Sequence, residues 1–186
     1  MSDFTKVKQR LLSAGVGPRL HSKTLSDFGQ VGQALRNTFQ KDSFADICKN
    51  GVCVNVYGEE QRVFVFNTYA KESVMSGDSV YLTSMRSLVS ALANQTYSSS
   101  AEYLKVLDGT KNIFISGFQE AGDCPYTRAE RSLVEEYLTS RLHVYQRFTI
   151  CCDSIVADAA WWSSEFRAQI SDAVMEFYVG LKKSKS

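Results

Sequence analysis

Val52 to Phe66, VCVNVYGEEQRVFVF, is the stretch on which the fold turns. An apolar, β-branched run leads to Gly58, as a parallel α/β sheet delivers its first strand into a ligand-binding loop. A phosphate loop would continue as G-x-x-x-x-G-K-[ST]: backbone N–H groups face the phosphates, the Lys neutralises them and the hydroxyl reaches Mg²⁺. Counted from Gly58, the last three places hold Val63, Phe64 and Val65. Glu59 and Glu60 also set negative charge where phosphates would sit, each opposing a phosphate charge by up to roughly 4 kcal/mol at about 4 Å for an effective dielectric near 20. The strand and its turn suit a nucleotide-binding fold, but the loop chemistry does not.

On either side of this stretch the sequence alternates helix and strand. Residues 3 to 13 carry Phe4, Val7, Leu11 and Leu12 at helical spacing, and Ala14-Gly15-Val16-Gly17-Pro18 ends that helix. A second helix is expected over 26–39, with Phe28, Val31 and Leu35 on one face. Val52–Tyr57, Val80–Thr83, Ile113–Ile115 and Phe148–Cys152 are short β-branched or aromatic runs and read as strands. Val174 to Gly180 reads as a fifth, with a helix continuing from Glu165 as the competing reading. Ser84 is placed to cap MRSLVSALANQ and Ser100 to cap AEYLKVL, and Thr127 with Glu130 forms a capping box ahead of RSLVEEYLTSRL. Helices between strands require crossover connections, hence a mostly parallel five-stranded sheet covered on both faces, with its ligand side at the carboxyl ends of the strands.

Composition narrows the function classes. At 186 residues the chain suits one domain spanning 1–186, able to bury about 70% of its unfolded surface. Charged residues at 22% and hydrophobic residues at 44% are ordinary for a globular protein, and no apolar run is long enough for a membrane span. MSDFTKVKQRLL lacks the apolar core of a signal peptide, so a cytoplasmic protein without a membrane partner is expected. The cysteines, 5 in all at 48, 53, 124, 151 and 152, form no C-x-x-C pair, and His21 and His143 are too distant in sequence to complete zinc spacing. Buried reduced thiols and no metal site are expected. A net charge of +1 argues against a generally basic nucleic-acid surface. No carboxylate pair or Ser/Cys–His arrangement suggests catalysis.

LLSAGVGPRLHSKTLSDF, Leu11 to Phe28, resembles the lead-in segment of the bacterial replicative-helicase loaders and transposition helper ATPases, the DnaC/IstB-like branch of the AAA+ fold. In that family an apolar helix ends in A-G-[IV]-x-P-R and T-[LF]-x-x-F follows. Here these places hold Ala14, Gly15, Val16, Pro18 and Arg19, then Thr24, Leu25 and Phe28. The strands around Gly58, SVYLTS, NIFISGF and RFTICCDS follow in the family's order. The resemblance implies a three-layer, P-loop NTPase-like (AAA+) α/β domain, with 1–28 as its N-terminal helix and lead-in. It also marks departures. The family's third strand ends in two acidic residues that hold Mg²⁺ and polarise the attacking water, and Ser116 and Gly117 occupy those places. Asp153 falls where the family senses the γ-phosphate, and Arg167 near the arginine that reaches a neighbouring subunit's nucleotide. Without functional Walker motifs neither is given a catalytic role, and no cofactor is expected.

The function so implied is non-enzymatic. A phage-type, helicase-loader-like replication protein would bind a DnaB-type replicative helicase and assist its placement on single-stranded DNA without hydrolysing ATP. A DNA-binding or transposition-helper adaptor and an inhibitor of the host replicative helicase are the alternatives. Candidate partner contacts are Phe4, Val7, Arg10 and Leu11 of the first helix, the Trp161-Trp162 pair, and Arg167, whose fork suits a carboxylate across an interface or in self-association. Adjacent Trp161 and Trp162 cannot both face one core stripe of a helix. Candidate DNA contacts are Tyr126 for stacking, Arg128 and Arg131 for phosphates, and the tail residues Lys182 and Lys183.

Overall fold

The structure, a computed structural model, describes residues 3–17, 23–38, 53–117, 124–152 and 162–180. Its elements run α1 (Asp3–Ser13), a 3₁₀ turn (Leu25–Phe28), α2 (Gly29–Arg36), β1 (Cys53–Gly58), α3 (Arg62–Met75), β2 (Val80–Ser84), α4 (Met85–Ala93), α5 (Ser98–Asp108), β3 (Asn112–Ser116), α6 (Arg128–His143), β4 (Arg147–Cys152), α7 (Ser164–Ser171) and β5 (Val174–Val179). The strands form a 5-stranded sheet in the order β2-β3-β4-β1-β5. Every described pairing is parallel, as crossovers through helices demand.

Alternation along each strand divides the core into two. On one face Cys53, Ile113, Ile115, Phe148 and Ile150 meet Met85 and Leu88 of α4, Leu107 of α5, Val134 and Leu138 of α6, and Phe166 and Ile170 of α7. On the other, Val54, Val56 and Phe114 meet Leu11 of α1, Leu35 of α2, and Val65, Phe66, Tyr69 and Ala70 of α3. The parallel sheet is therefore sandwiched between helical layers, the arrangement implied by the resemblance.

The second helix begins later than expected. A 3₁₀ turn over Leu25–Phe28 precedes α2, and the two approach so closely that a Cβ on Gly32 would lie 1.8 Å from the Leu25 carbonyl oxygen. Glu72 of α3 anchors both: its carboxylate accepts from the Leu25 N–H at 2.5 Å and pairs with Arg36 at 2.8 Å. Lys71 Nζ donates to the Lys23 carbonyl beside it. Helix α5 starts at Ser98 with Tyr97 in the capping place, so Ser100 is not its cap. Ser84 does cap α4, accepting from Ser87 N–H at 3.1 Å. Cys53, Cys151 and Cys152 are buried, and burial pushes the Cys53 thiol up; Cys48 lies outside the described residues. No described helix is long and apolar enough to cross a membrane.

The amino ends of β3 and β4 are held by a buried guanidinium. Arg141, 2% exposed, donates to the carbonyls of Leu107 at 3.0 Å, Thr110 at 2.7 Å and Arg147 at 3.1 Å. Arg147 in turn donates to the Thr38 carbonyl at 2.5 Å, and the Thr38 and Tyr69 hydroxyls meet at 2.6 Å. Arg141→Ala strands these carbonyls in the interior and is expected to lower stability by about 3 kcal/mol in urea unfolding. Arg141→Lys keeps the charge without the fork and is expected to recover only part of it.

Candidate functional site

The carboxyl end of β1 is where the fold places a phosphate. Gly58 has φ +113, and a Cβ on it would lie 2.3 Å from the Val179 carbonyl oxygen and 2.8 Å from the Tyr178 ring. The next amide, Glu59 N–H, donates to that same Val179 oxygen at 2.8 Å. Arg62 N–H turns back to the Glu59 carbonyl at 2.8 Å, and the Arg62 guanidinium donates to the Gly58 carbonyl at 2.9 Å. Helix α3 has already begun at Arg62, so Glu59, Glu60 and Gln61 are the whole connection. Val63 and Phe64, in the places of the phosphate-loop Gly and Lys, are exposed on its first turn, and Val65 is buried. A magnesium triphosphate needs a cradle of inward N–H groups, a Lys and a hydroxyl. The residues present here do not fit it.

At the end of β3, Ser116 Oγ donates to the Thr83 carbonyl at 3.2 Å, and Gly117 follows with φ +80. Ser116 shares an open, hydroxyl-lined cleft of about 400 Å³ with Asn67, Tyr81, Thr83, Ser84 and Tyr103. Asp153, the expected counterpart of the γ-phosphate sensor, lies outside the described residues. Among the described residues no three His, Cys, Asp or Glu side chains converge on a possible metal position.

A second region brings together residues that the sequence offered separately. A cleft of about 620 Å³ lies between the starts of α6 and α7, lined by Arg128, Arg131, Ser132 and Glu135 on one side and Trp162, Ser163, Ser164 and Glu165 on the other. Both helices are capped locally. Thr127 Oγ1 accepts from Glu130 N–H at 3.2 Å while the Glu130 carboxylate accepts from Thr127 N–H at 2.8 Å, and Ser163 Oγ accepts from Phe166 N–H at 3.1 Å. The Glu135 carboxylate joins them, accepting from Ser163 N–H at 2.7 Å. The Thr127 bonds hold the Glu130 carboxyl below its ordinary range. Two helix N-termini and two arginines thus share one opening, with Glu135 and Glu165 as counter-charges.

The other candidates are placed as follows. Trp162 is buried against Phe166, with ring centroids 4.9 Å apart, and forms part of the core as well as the cleft wall. Little of the Trp162 side chain is therefore left for the expected partner contact, and that little faces the cleft. Leu11 is likewise buried and Val7 half-buried against the core, because the apolar stripe of α1 faces the sheet layer; of that group Arg10 is exposed. Tyr126 is half-buried against the core beside Arg86, and burial raises its phenol pKa. Arg167 is half-buried one turn into α7. The Phe4 side chain, Trp161, Lys182 and Lys183 lie outside the described residues.

This topology is shared with solved structures of replication proteins. The chain superposes on the structure of the DnaC helicase loader with a TM-score of 0.66 at 12% identity, covering 88% of this chain and 100% of that one. It superposes on DnaI with a TM-score of 0.62 at 12% identity, covering 88% and 95%. The replication initiator DnaA bound to AMPPCP and single-stranded DNA aligns with a TM-score of 0.65 at 10% identity over 90% of this chain, which spans about half, 51%, of that structure. No protein-family model and no curated protein sequence matches the chain. At these identities the likeness establishes the fold.

Gly58→Ala is expected to cost about 2 kcal/mol or more, because backbone must move, against about 1 kcal/mol for Gly117→Ala, where only φ is strained. Thr127→Ala is expected to cost about 1 kcal/mol at neutral pH in urea unfolding. Because the folded Glu130 pKa is depressed, its contribution is present above the unfolded value of about 4.3 and is lost as pH falls through the folded value. The gap between Thr127→Ala and the parent protein should therefore narrow in acid.

Proposed function

We propose that the chain is a DnaC/IstB-like replication accessory protein that binds a DnaB-type replicative helicase and assists its placement on single-stranded DNA, without binding or hydrolysing ATP. The observation that carries the reading is the superposition on the DnaC helicase loader over nearly all of both chains. The lead-in phrase Ala14 to Phe28 supports it independently. The loss of the motor rests on the closed connection after Gly58 and on Ser116-Gly117 at the end of β3. The phage-type assignment and action in a bacterial cytoplasm follow from this eroded motor and are part of the proposal.

Such a protein works by differential affinity. Binding one state of a helicase ring more tightly than another shifts the ring toward it, and hydrolysis belongs to the helicase. The DNA face is assigned to Arg128 and Arg131 at the cleft between α6 and α7, with Tyr126 just ahead of them in the chain. Arg167 is assigned to contact between subunits.

Four measurements test the reading. Titration with Mg-ATP should give no saturable heat; micromolar affinity would sink the loss of the motor. Native mass spectrometry with a bacterial DnaB-type helicase should show a defined complex, and failure with every such helicase offered would end the loader reading. A strand-loading assay then separates assistance from inhibition. For DNA, Arg128→Ala with Arg131→Ala should lower affinity for oligo-dT uniformly and reduce the salt slope by about one per arginine lost.

A further inference from the structure

β2 is an edge strand, and among the described residues its outer side is only partly covered. Backbone groups alternate sides along a strand. The Ser79 carbonyl accepts from Asn112 N–H at 3.0 Å, so residues 79, 81 and 83 turn toward β3, while Val80 and Leu82 turn outward. Leu82 N–H is taken by the Ala14 carbonyl at 2.8 Å. No described residue does the same for Val80. Its N–H and C=O open onto a groove of about 600 Å³ astride the sheet edge. Helix α1 supplies Lys6, Gln9 and Arg10 from one face of the sheet, and the end of α5 supplies Val106 from the other. Val106 is 50% exposed.

We propose that this groove docks an extended segment of a protein partner, with carboxylates alternating with apolar residues, which adds to the outer edge of β2. The visiting main chain takes the N–H and C=O of Val80. Alternation then sends successive side chains to opposite faces of the extended sheet. Those on the α1 face meet Lys6 and Arg10 and are acidic; those on the α5 face meet Val106 and are apolar. A nucleic-acid strand fits less well, because one wall is apolar and Asp78 lies at the amino end of the groove. Ala14 blocks the carboxyl half of the edge, so the added ladder is short, and the contact depends on charge and is salt-sensitive. The inference stands apart from the helicase reading, since it rests on the edge geometry of β2 and on Lys6, Arg10 and Val106 beside it.

The test uses the full chain and a fluorescein-labelled alternating Val/Glu hexapeptide, read by anisotropy. Saturable binding is expected, weakened about tenfold by Lys6→Glu with Arg10→Glu, as for paired charges at an interface. Val80→Pro removes the outward N–H while leaving every bond to β3, as edge positions allow, and is also expected to weaken binding about tenfold. N-methylation of alternate peptide amides should abolish binding in one register and spare it in the other, which gives a readout independent of how Val80→Pro folds. Absence of saturable binding, equal binding of a Val/Lys peptide, indifference to both N-methyl registers, or full competition by oligo-dT overturns the proposal.

Discussion

β1 is paired on both sides, to β4 from Cys53 through Tyr57 and to β5 from Cys53 through Gly58, and the carboxyl end of the sheet is fixed by where that double pairing stops. On the β5 side it continues into the turn, with Gly58 opposite Val179 and Glu59 N–H still donating to Val179. A phosphate loop must present its first amides to the ligand, whereas this sheet takes the first of them. The chain then has only Glu60 and Gln61 before α3 starts, so no cradle forms. The β1–β5 ladder, at one side of the sheet, thus runs on into the turn where a phosphate loop would begin.

The opposite end of the sheet is tied down by side chains. Arg141 and Arg147 are fully surrounded by protein, and their described partners are carbonyls rather than carboxylates. A buried charge is tolerated only when its donors are used, and a planar fork reaching several chain reversals satisfies many acceptors at once. Burial lowers the Arg141 pKa but leaves it charged at any ordinary pH. The loops entering β3 and β4 are consequently fixed, while the carboxyl-end surfaces carry the cleft between α6 and α7 and the one beside Ser116. Rigidity at one end leaves the other to vary chemically without loss of the sheet.

What was legible in the sequence follows from how local each signal is. The strands, the Ser84 cap and the Thr127/Glu130 box are decided within a few residues, and the structure keeps them. Helix α3 was not legible: RVFVF alternates like a strand and has no capping residue, and its helical period emerges only when Tyr69, Ala70 and Val74 are counted. Tyr97 in the capping place of α5 went unseen because the serines after it advertise caps more strongly. Arg141 reads as a solvated helix-face residue until tertiary contacts bury it. The pairing of Arg128 and Arg131 with Trp162 joins two helices distant in sequence, so only packing reveals it.

That pairing bears on how the proposed function would work. The cleft offers two arginines and two helix N-termini, but Glu135 and Glu165 line it too, and the Glu130 and Glu135 carboxylates accept from Thr127 and Ser163 N–H at the helix starts. On the proposed reading a single copy would hold a phosphate backbone weakly, in keeping with a net charge of +1. Weak contacts become effective when several copies are fixed on one ring, since each later contact is made at the high effective concentration set by the first. On the proposed reading, DNA affinity arises from assembly on the helicase rather than from the isolated chain. The protein would then hold DNA only where a ring has gathered enough copies, which couples helicase binding to strand binding without nucleotide chemistry.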